Sequence, residues 1–175
     1  MASGNILCWE SAGLAPYGPN PGRQPTASVQ RYGNGNHALA IFPKITSAPN
    51  PTYDRFGNLT HLFTAGVGVT LTLMWCCDVA AGNVRWGAQF ERLIAGGSEV
   101  KTESFAALQA VNAAVAGTAD DLVVTDIPFT IGAQMDNVAA SEFFRLRIQR
   151  IANDAGDTAA VSSIARLLAW KLRDT

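Results

Sequence analysis

Two histidines, three cysteines and a scatter of carboxylates are the side chains here that could do chemistry. Their spacing decides whether they do. His37 and His61 stand far apart with no carboxylate at ligand spacing. A metal centre needs several converging donors, and that cluster is not written in this chain. Cys8 falls near the start, while Cys76 and Cys77 are adjacent. A nucleophilic thiol needs an activating base, and none is patterned around these three. Neighbouring cysteines on a strand point to opposite faces and do not bridge, so all three read as reduced, partly buried thiols. Ser98 has Gly96 two positions before it but Val100 two after, which breaks the Gly-x-Ser-x-Gly turn. Glu91, Glu99, Glu103, Asp120, Asp121, Asp126 and Glu142 are available as acid–base groups. Sequence alone does not place two of them at the separation glycoside hydrolysis needs. Asp154 and Asp157 match no calcium loop and read as part of a solvated turn. No glycine-rich stretch ends in the Gly-Lys-Ser/Thr of a phosphate cradle. The expectation is a non-enzymatic protein with no cofactor and no metal.

Composition points the same way. Of 175 residues, 48% are hydrophobic and only 15% charged, against roughly 25% charged in an average soluble protein. A chain this poor in charge, with mean hydropathy +0.11, is expected to cover apolar surface with partners, since exposed apolar patches mark association sites. The net charge of −1 gives no basic surface for nucleic acid. Arg166, Lys171 and Arg173 near the end read as solvated or interfacial. The most apolar stretch, 67–77, is about eleven residues long, short of the ~20 a membrane helix needs. No signal peptide is visible, and Asn58-Leu59-Thr60 reads as a chance glycosylation match.

The elements that must position these residues are strands. Residues 1–36 carry Pro16, Pro19, Pro21, Pro25 and several glycines, which resist helix and central strand. With Ile6, Leu7, Trp9 and Tyr17 inside it, the segment reads as an extended arm that docks on something. Val67, Val69, Leu71, Leu73 and Trp75 alternate with smaller or polar residues, the two-residue period of a strand. Val84, Trp86, Ala88 and Phe90 alternate with Arg85, Gly87, Gln89 and Glu91, and the two runs read as an antiparallel hairpin. Trp75 and Trp86 fall in the buried phase. Residues 46–60 look turn-rich. In 103–116, Phe105, Leu108, Val111 and Val115 recur at helical spacing, although a strand also fits. Pro128 marks the strand around 122–131 as an edge or a bulge. Phe144, Leu146 and Ile148 alternate with Phe143, Arg145 and Arg147, and Ile164, Leu168, Trp170 and Leu172 share a phase. Seven or eight strands without alternating helices indicate a sandwich or jelly roll.

Two blocks carry a family resemblance. "VTLTLMWCCDVAAGNVRWGAQFERL" is similar to a strand pair in β-sandwich structural proteins of tailed bacteriophages, through Trp75, Gly82, Asn83, Val84 and Trp86. "EFFRLRIQRIANDAGDTAAVSSIARLLAWKLR" resembles an Arg-bearing strand, an Asp-rich loop and a final strand of the same group. The resemblance covers roughly 67–173, leaves the arm out, and the doubled Cys76-Cys77 departs from it. It implies that 103–116 is β-rich, which overrules the helical spacing there. It also implies a jelly-roll-like head decoration, cement or appendage protein, often trimeric.

The expected protein is all-β: an antiparallel, jelly-roll-like β-sandwich over 37–175 with an extended N-terminal arm over 1–36. Its expected work is to stabilise a phage head as a decoration or cement subunit through contacts with itself and with the major capsid protein or another virion protein. It would be located in the virion after synthesis in the host cytoplasm. The alternative is a tail collar or fibre tip, or a carbohydrate-binding receptor module. Candidate interface residues are Trp9, Tyr17, Phe143, Arg145 and Arg147, because aromatic and arginine side chains concentrate at contact surfaces.

Overall fold

The structure, a computed structural model, describes residues 6–11, 28–32, 37–44, 50–59, 67–97 and 102–175. For 6–11, 28–32, 37 and 38 it describes the backbone alone. Among the described residues there are ten strands: β1 (Ile6–Ser11), β2 (Ser28–Tyr32), β3 (His37–Pro43), β4 (Thr52–Asn58), β5 (Val69–Cys77), β6 (Asn83–Leu93), β7 (Gln109–Ala114), β8 (Val123–Phe129), β9 (Phe143–Arg150) and β10 (Ile164–Asp174). The one short helical element among them is a 3-10 turn at Ala133–Met135.

The strands form two antiparallel sheets. The larger runs β2-β3-β10-β5-β8, with β1 also pairing β10, and the smaller runs β4-β9-β6-β7. From β3 to β10 the eight strands lie as β3-β10-β5-β8 over β4-β9-β6-β7. That is the order of a jelly roll, with two interleaved Greek keys. The all-β sandwich read from the sequence is the fold observed.

Within residues 1–36, two stretches belong to the larger sheet. Ile6–Ser11 pairs with Ala169–Arg173 of β10, and Ser28–Tyr32 pairs with β3. The proline-rich piece between them, with Tyr17, lies outside the described residues. Thr52–Asn58, inside a stretch expected to be turn-rich, is the outer strand of the smaller sheet.

β5 and β6 are not a hairpin. β5 pairs β10 and β8, and β6 pairs β9 and β7, so the short link at 78–82 carries the chain from one sheet to the other. Alternation alone cannot separate these cases, since each strand presents one apolar face either way. Here the two faces meet across the core. Trp75 and Trp86 pack edge to face at 5.5 Å, and Phe42 meets Trp86 at 5.0 Å. Phe90 meets Phe129 at 4.9 Å. Such pairs add about 0.5–1.5 kcal/mol beyond the area they bury. The Trp75 indole also donates to Thr125 Oγ1 at 2.9 Å.

β5 is buried on both sides, Thr70 and Thr72 included. A register shift between Leu167 and Ala169 changes the phase of β10. Ala165 and Leu167 face the core before it and Trp170 and Leu172 after it, so Ile164 and Leu168 leave the expected stripe. One extra residue in a strand flips everything beyond it. Residues 109–114 are strand, as the resemblance implied, and β8 with Pro128 is an edge.

Candidate binding face

The outer face of the smaller sheet gathers most of the side chains that could recognise something. Register puts Phe56 opposite Arg145, Asp54 opposite Arg147, and Asn58 opposite Phe143 on the β4–β9 side. On the β6 side Glu91 faces Arg145, Gln89 faces Arg147 and Leu93 faces Phe143. Paired residues share a face of the sheet. The opposite face of β9, with Phe144, Leu146 and Ile148, is core.

Arg145 is buried against Glu91, its Nε donating to the carboxylate at 2.5 Å. Arg147 donates to both oxygens of Asp54, at 2.8 and 2.7 Å, and to both of Glu103, at 3.0 and 2.9 Å. Burial works against the Arg147 charge, but the hydrogen bonds to Asp54 and Glu103 outweigh it and push its pKa up. Arg92 pairs with Glu142. The hydrogen bond from Arg92, then that from the Ala139 amide, hold the Glu142 carboxyl below the usual glutamate range. These carboxylates all come from the chain itself.

The segment 102–108, which leads into β7, lies across this lattice. The Ser104 amide donates to Glu91 at 2.9 Å, the Ala106 amide to the Phe90 carbonyl at 2.7 Å, and Gln89 Nε2 to the Ala106 carbonyl at 3.0 Å. The Phe105 ring is shared by two guanidinium groups, 4.1 Å from Arg147 and 4.9 Å from Arg145. The segment walls off the middle of the sheet.

Beyond that wall the face is open. Phe143 is 60% exposed and Phe56 50% exposed. They are diagonal neighbours, about 7–8 Å apart by strand geometry. Arg145 lies 5.9 Å from the Phe56 ring centre and is itself locked by Glu91, so the platform is held before any ligand arrives. Asn58 sits beside Phe143, exposed, with its amide nitrogen donating to the Ser141 carbonyl at 2.9 Å.

Among the five residues singled out from sequence, Phe143, Arg145 and Arg147 are brought together here. Trp9 is placed opposite Lys171 by backbone register, and Tyr17 lies outside the described residues. Phe56 and Phe105 were not singled out. The alternation of Asp54, Phe56 and Asn58 was present in the sequence, but an aromatic on the outward phase hid it.

Several of the remaining candidates for chemistry have structural roles, and the Cys8 side chain and Glu99 lie outside the described residues. Cys76 and Cys77 are buried and unbridged. His61 and Ser98, and the His37 side chain, lie outside the described residues. Asp120 binds Arg166 at 2.6 Å, and Asp126 binds Arg173 at 2.8 Å. Asp157, expected in a solvated turn, is buried against Arg150. No group of three metal-binding side chains occurs among the described residues. No helix there is long and apolar enough to cross a membrane.

No family model matches the chain, and no curated protein matches it. Solved structures are similar at low identity. A CBM22-1 xylan-binding domain from Paenibacillus barcinonensis aligns at a TM-score of 0.45 and 12% identity, over 98% of this chain and 95% of that one. A putative sugar binding protein from Bacteroides thetaiotaomicron aligns at 0.45 and 8%, over 99% and 90%. A family 11 carbohydrate-binding module from Clostridium thermocellum aligns at 0.38 and 8%, over 95% and 88%. At these values the jelly-roll assignment rests on the strand order.

Proposed function

We propose that this chain is a non-catalytic carbohydrate-binding module that takes a neutral glycan on the outer face of the smaller sheet. One observation carries the reading. Phe56 and Phe143 stand exposed side by side on a rigid sheet, over guanidinium groups whose charge is already matched. A pyranose offers an apolar C–H face to an aromatic ring and hydroxyls to a polar rim. Two neighbouring rings suit two adjacent sugar units, and Asn58 lies at that rim. Because Arg145 and Arg147 each face a carboxylate, neither offers an unmatched cation to an anionic sugar. The platform is also preorganised by its ion pairs, which lowers the ordering cost of binding.

The sequence blocks that resemble phage β-sandwich proteins suit such a module to a virion, at a tail collar or fibre tip that meets a host glycan. A head decoration or cement role is the second reading. It is favoured by large apolar side chains exposed away from the platform, Leu122, Val124 and Val161 among them.

A glycan array followed by calorimetry tests the first reading. Saturable binding of a neutral oligosaccharide is expected, and Phe143→Ala or Phe56→Ala should weaken it at least tenfold with the thermal midpoint unchanged. Binding that both variants keep would remove the platform from the account. Attachment of the purified protein to phage heads, with no glycan bound, would favour the second reading.

A further inference from the structure

We infer that Ser141 and Glu142 are positioning residues: they form a β-bulge that aims the Phe143 ring of the platform. The Ser141 amide donates to the Leu59 carbonyl at 2.8 Å, and the Leu59 amide donates to the Glu142 carbonyl at 3.0 Å. Two residues on the β9 side therefore face one on the β4 side, just before the Asn58–Phe143 pair. Ser141 has φ of +65°. A bulge whose first residue is left-handed is the kind that glycine usually fills, and here a serine holds it. Such a bulge bends the strand that carries it and re-aims the side chain beside it. Phe143 is the first residue beyond.

A left-handed serine persists where its surroundings over-determine it, and several contacts do so here. Asn58 Nδ2 donates to the Ser141 carbonyl at 2.9 Å. The Glu142 carboxylate accepts from the Ala139 amide at 2.8 Å and pairs with Arg92. Leu59, opposite the bulge, is fully buried. The Arg92 amide in turn donates to the Asp136 carboxylate at 2.8 Å, and Asp136 and Asn137 are left-handed as well. The ends of β4, β6 and β9 are thus tied to one loop. Ser141 itself is exposed, so the burial of its own side chain does not hold this conformation.

The arrangement has a use. Arg145 and Glu91 fix the floor beside Phe56, and the bulge does the same for Phe143. A ring on the first residue of a strand would otherwise share the freedom of the loop before it. Setting it before a ligand arrives removes part of the ordering cost of binding. The use of the ring for a glycan rests on the function proposed above, whereas its aim does not.

The experiment labels the full chain with 4-fluorophenylalanine and follows the Phe143 fluorine signal, assigned through Phe143→Leu, in the natural sequence, Ser141→Val, Ser141→Gly and Glu142→Ala. Valine is disfavoured at positive φ and glycine is not. Ser141→Val and Glu142→Ala should each broaden the Phe143 signal or move it toward its unfolded position while the core ring signals stay in place. Ser141→Gly should keep it. Affinity for the neutral oligosaccharide selected by the array should follow the signal. It should fall about fivefold in the first two variants, the ordering cost of one freed side chain, and recover in Ser141→Gly. An unmoved signal in both folded variants, whatever the melting midpoint does, would overturn the inference. So would a signal that Ser141→Gly disturbs as much as Ser141→Val. A signal that moves as expected in a chain that takes no glycan would keep the bulge and remove the platform.

Discussion

Arg150 is a charged side chain absorbed by architecture. It is fully buried, and all its donors are used. Nε and Nη2 bind the two Asp157 oxygens at 2.7 and 2.9 Å, Nη1 binds the Phe42 and Ser163 carbonyls at 3.1 and 2.9 Å, and Nη2 also binds Ser163 Oγ at 2.9 Å. Lys44 reaches the same loop, donating to the Asp157 and Ala159 carbonyls at 2.6 and 2.7 Å. The cluster ties β3, β9 and the β9–β10 loop together. Removing one member of such a pair leaves a buried charge without compensation, at a cost of about 3–5 kcal/mol. Asp157→Asn should therefore lower the urea midpoint strongly with little change in slope. A shift no larger than that of a surface substitution would mean that water reaches the site. Sequence could not show this. The phase of β9 was legible, so Phe143, Arg145 and Arg147 were placed on one face. The carboxylates that meet the arginines, Glu91, Asp54 and Glu103, come from segments far along the chain, and no local spacing reports them.

At the scale of elements, the link between β5 and β6 shows what a pattern of two can and cannot say. Alternation found both strands and both core tryptophans. It did not show that the chain crosses the core between them. Gly82 makes that crossing with φ of +97°, and a Cβ there would lie 2.7 Å from the Thr158 carbonyl oxygen and 2.8 Å from the Ala159 backbone. Gly82→Ala should destabilise the protein by more than about 1 kcal/mol, measured as a lower denaturation midpoint. An unchanged midpoint would mean that the Thr158–Ala159 loop yields easily. β4 was missed because its exposed Phe56 and half-buried Arg55 invert the usual apolar-in pattern. The start of β10 was misphased because a bulge between Leu167 and Ala169 leaves no mark in composition. Of residues 103–116, read as β-rich through the resemblance against their helical spacing, 109–114 are strand and 103–108 are not.

For the molecule as a whole, the fold class was legible from strand signals and the scarcity of helix patterns, whereas the sheet order was not. One prediction addresses whether the two sheets behave as a unit. Burial pushes the Cys76 and Cys77 thiols above the ordinary range, which leaves less reactive thiolate at neutral pH. Cys77 faces the core, while Cys76 lies on the outer side of β5 opposite Arg166. Both should resist alkylation in the folded protein and react together, in step with the loss of circular dichroism, as denaturant is raised. Earlier labelling of Cys76, read by peptide mapping, would show the larger sheet opening separately.

The position of β10 bears on how the chain is made. Residues 164–167 of β10 fill the gap between β3 and β5, so two strands synthesised earlier have no common neighbour until this one leaves the ribosome. Until then each keeps an open hydrogen-bonding edge. Such edges invite pairing with other chains, and closure over so long a loop is slow. The unfinished larger sheet is therefore a stage at which the chain is open to misassociation and in need of chaperone cover.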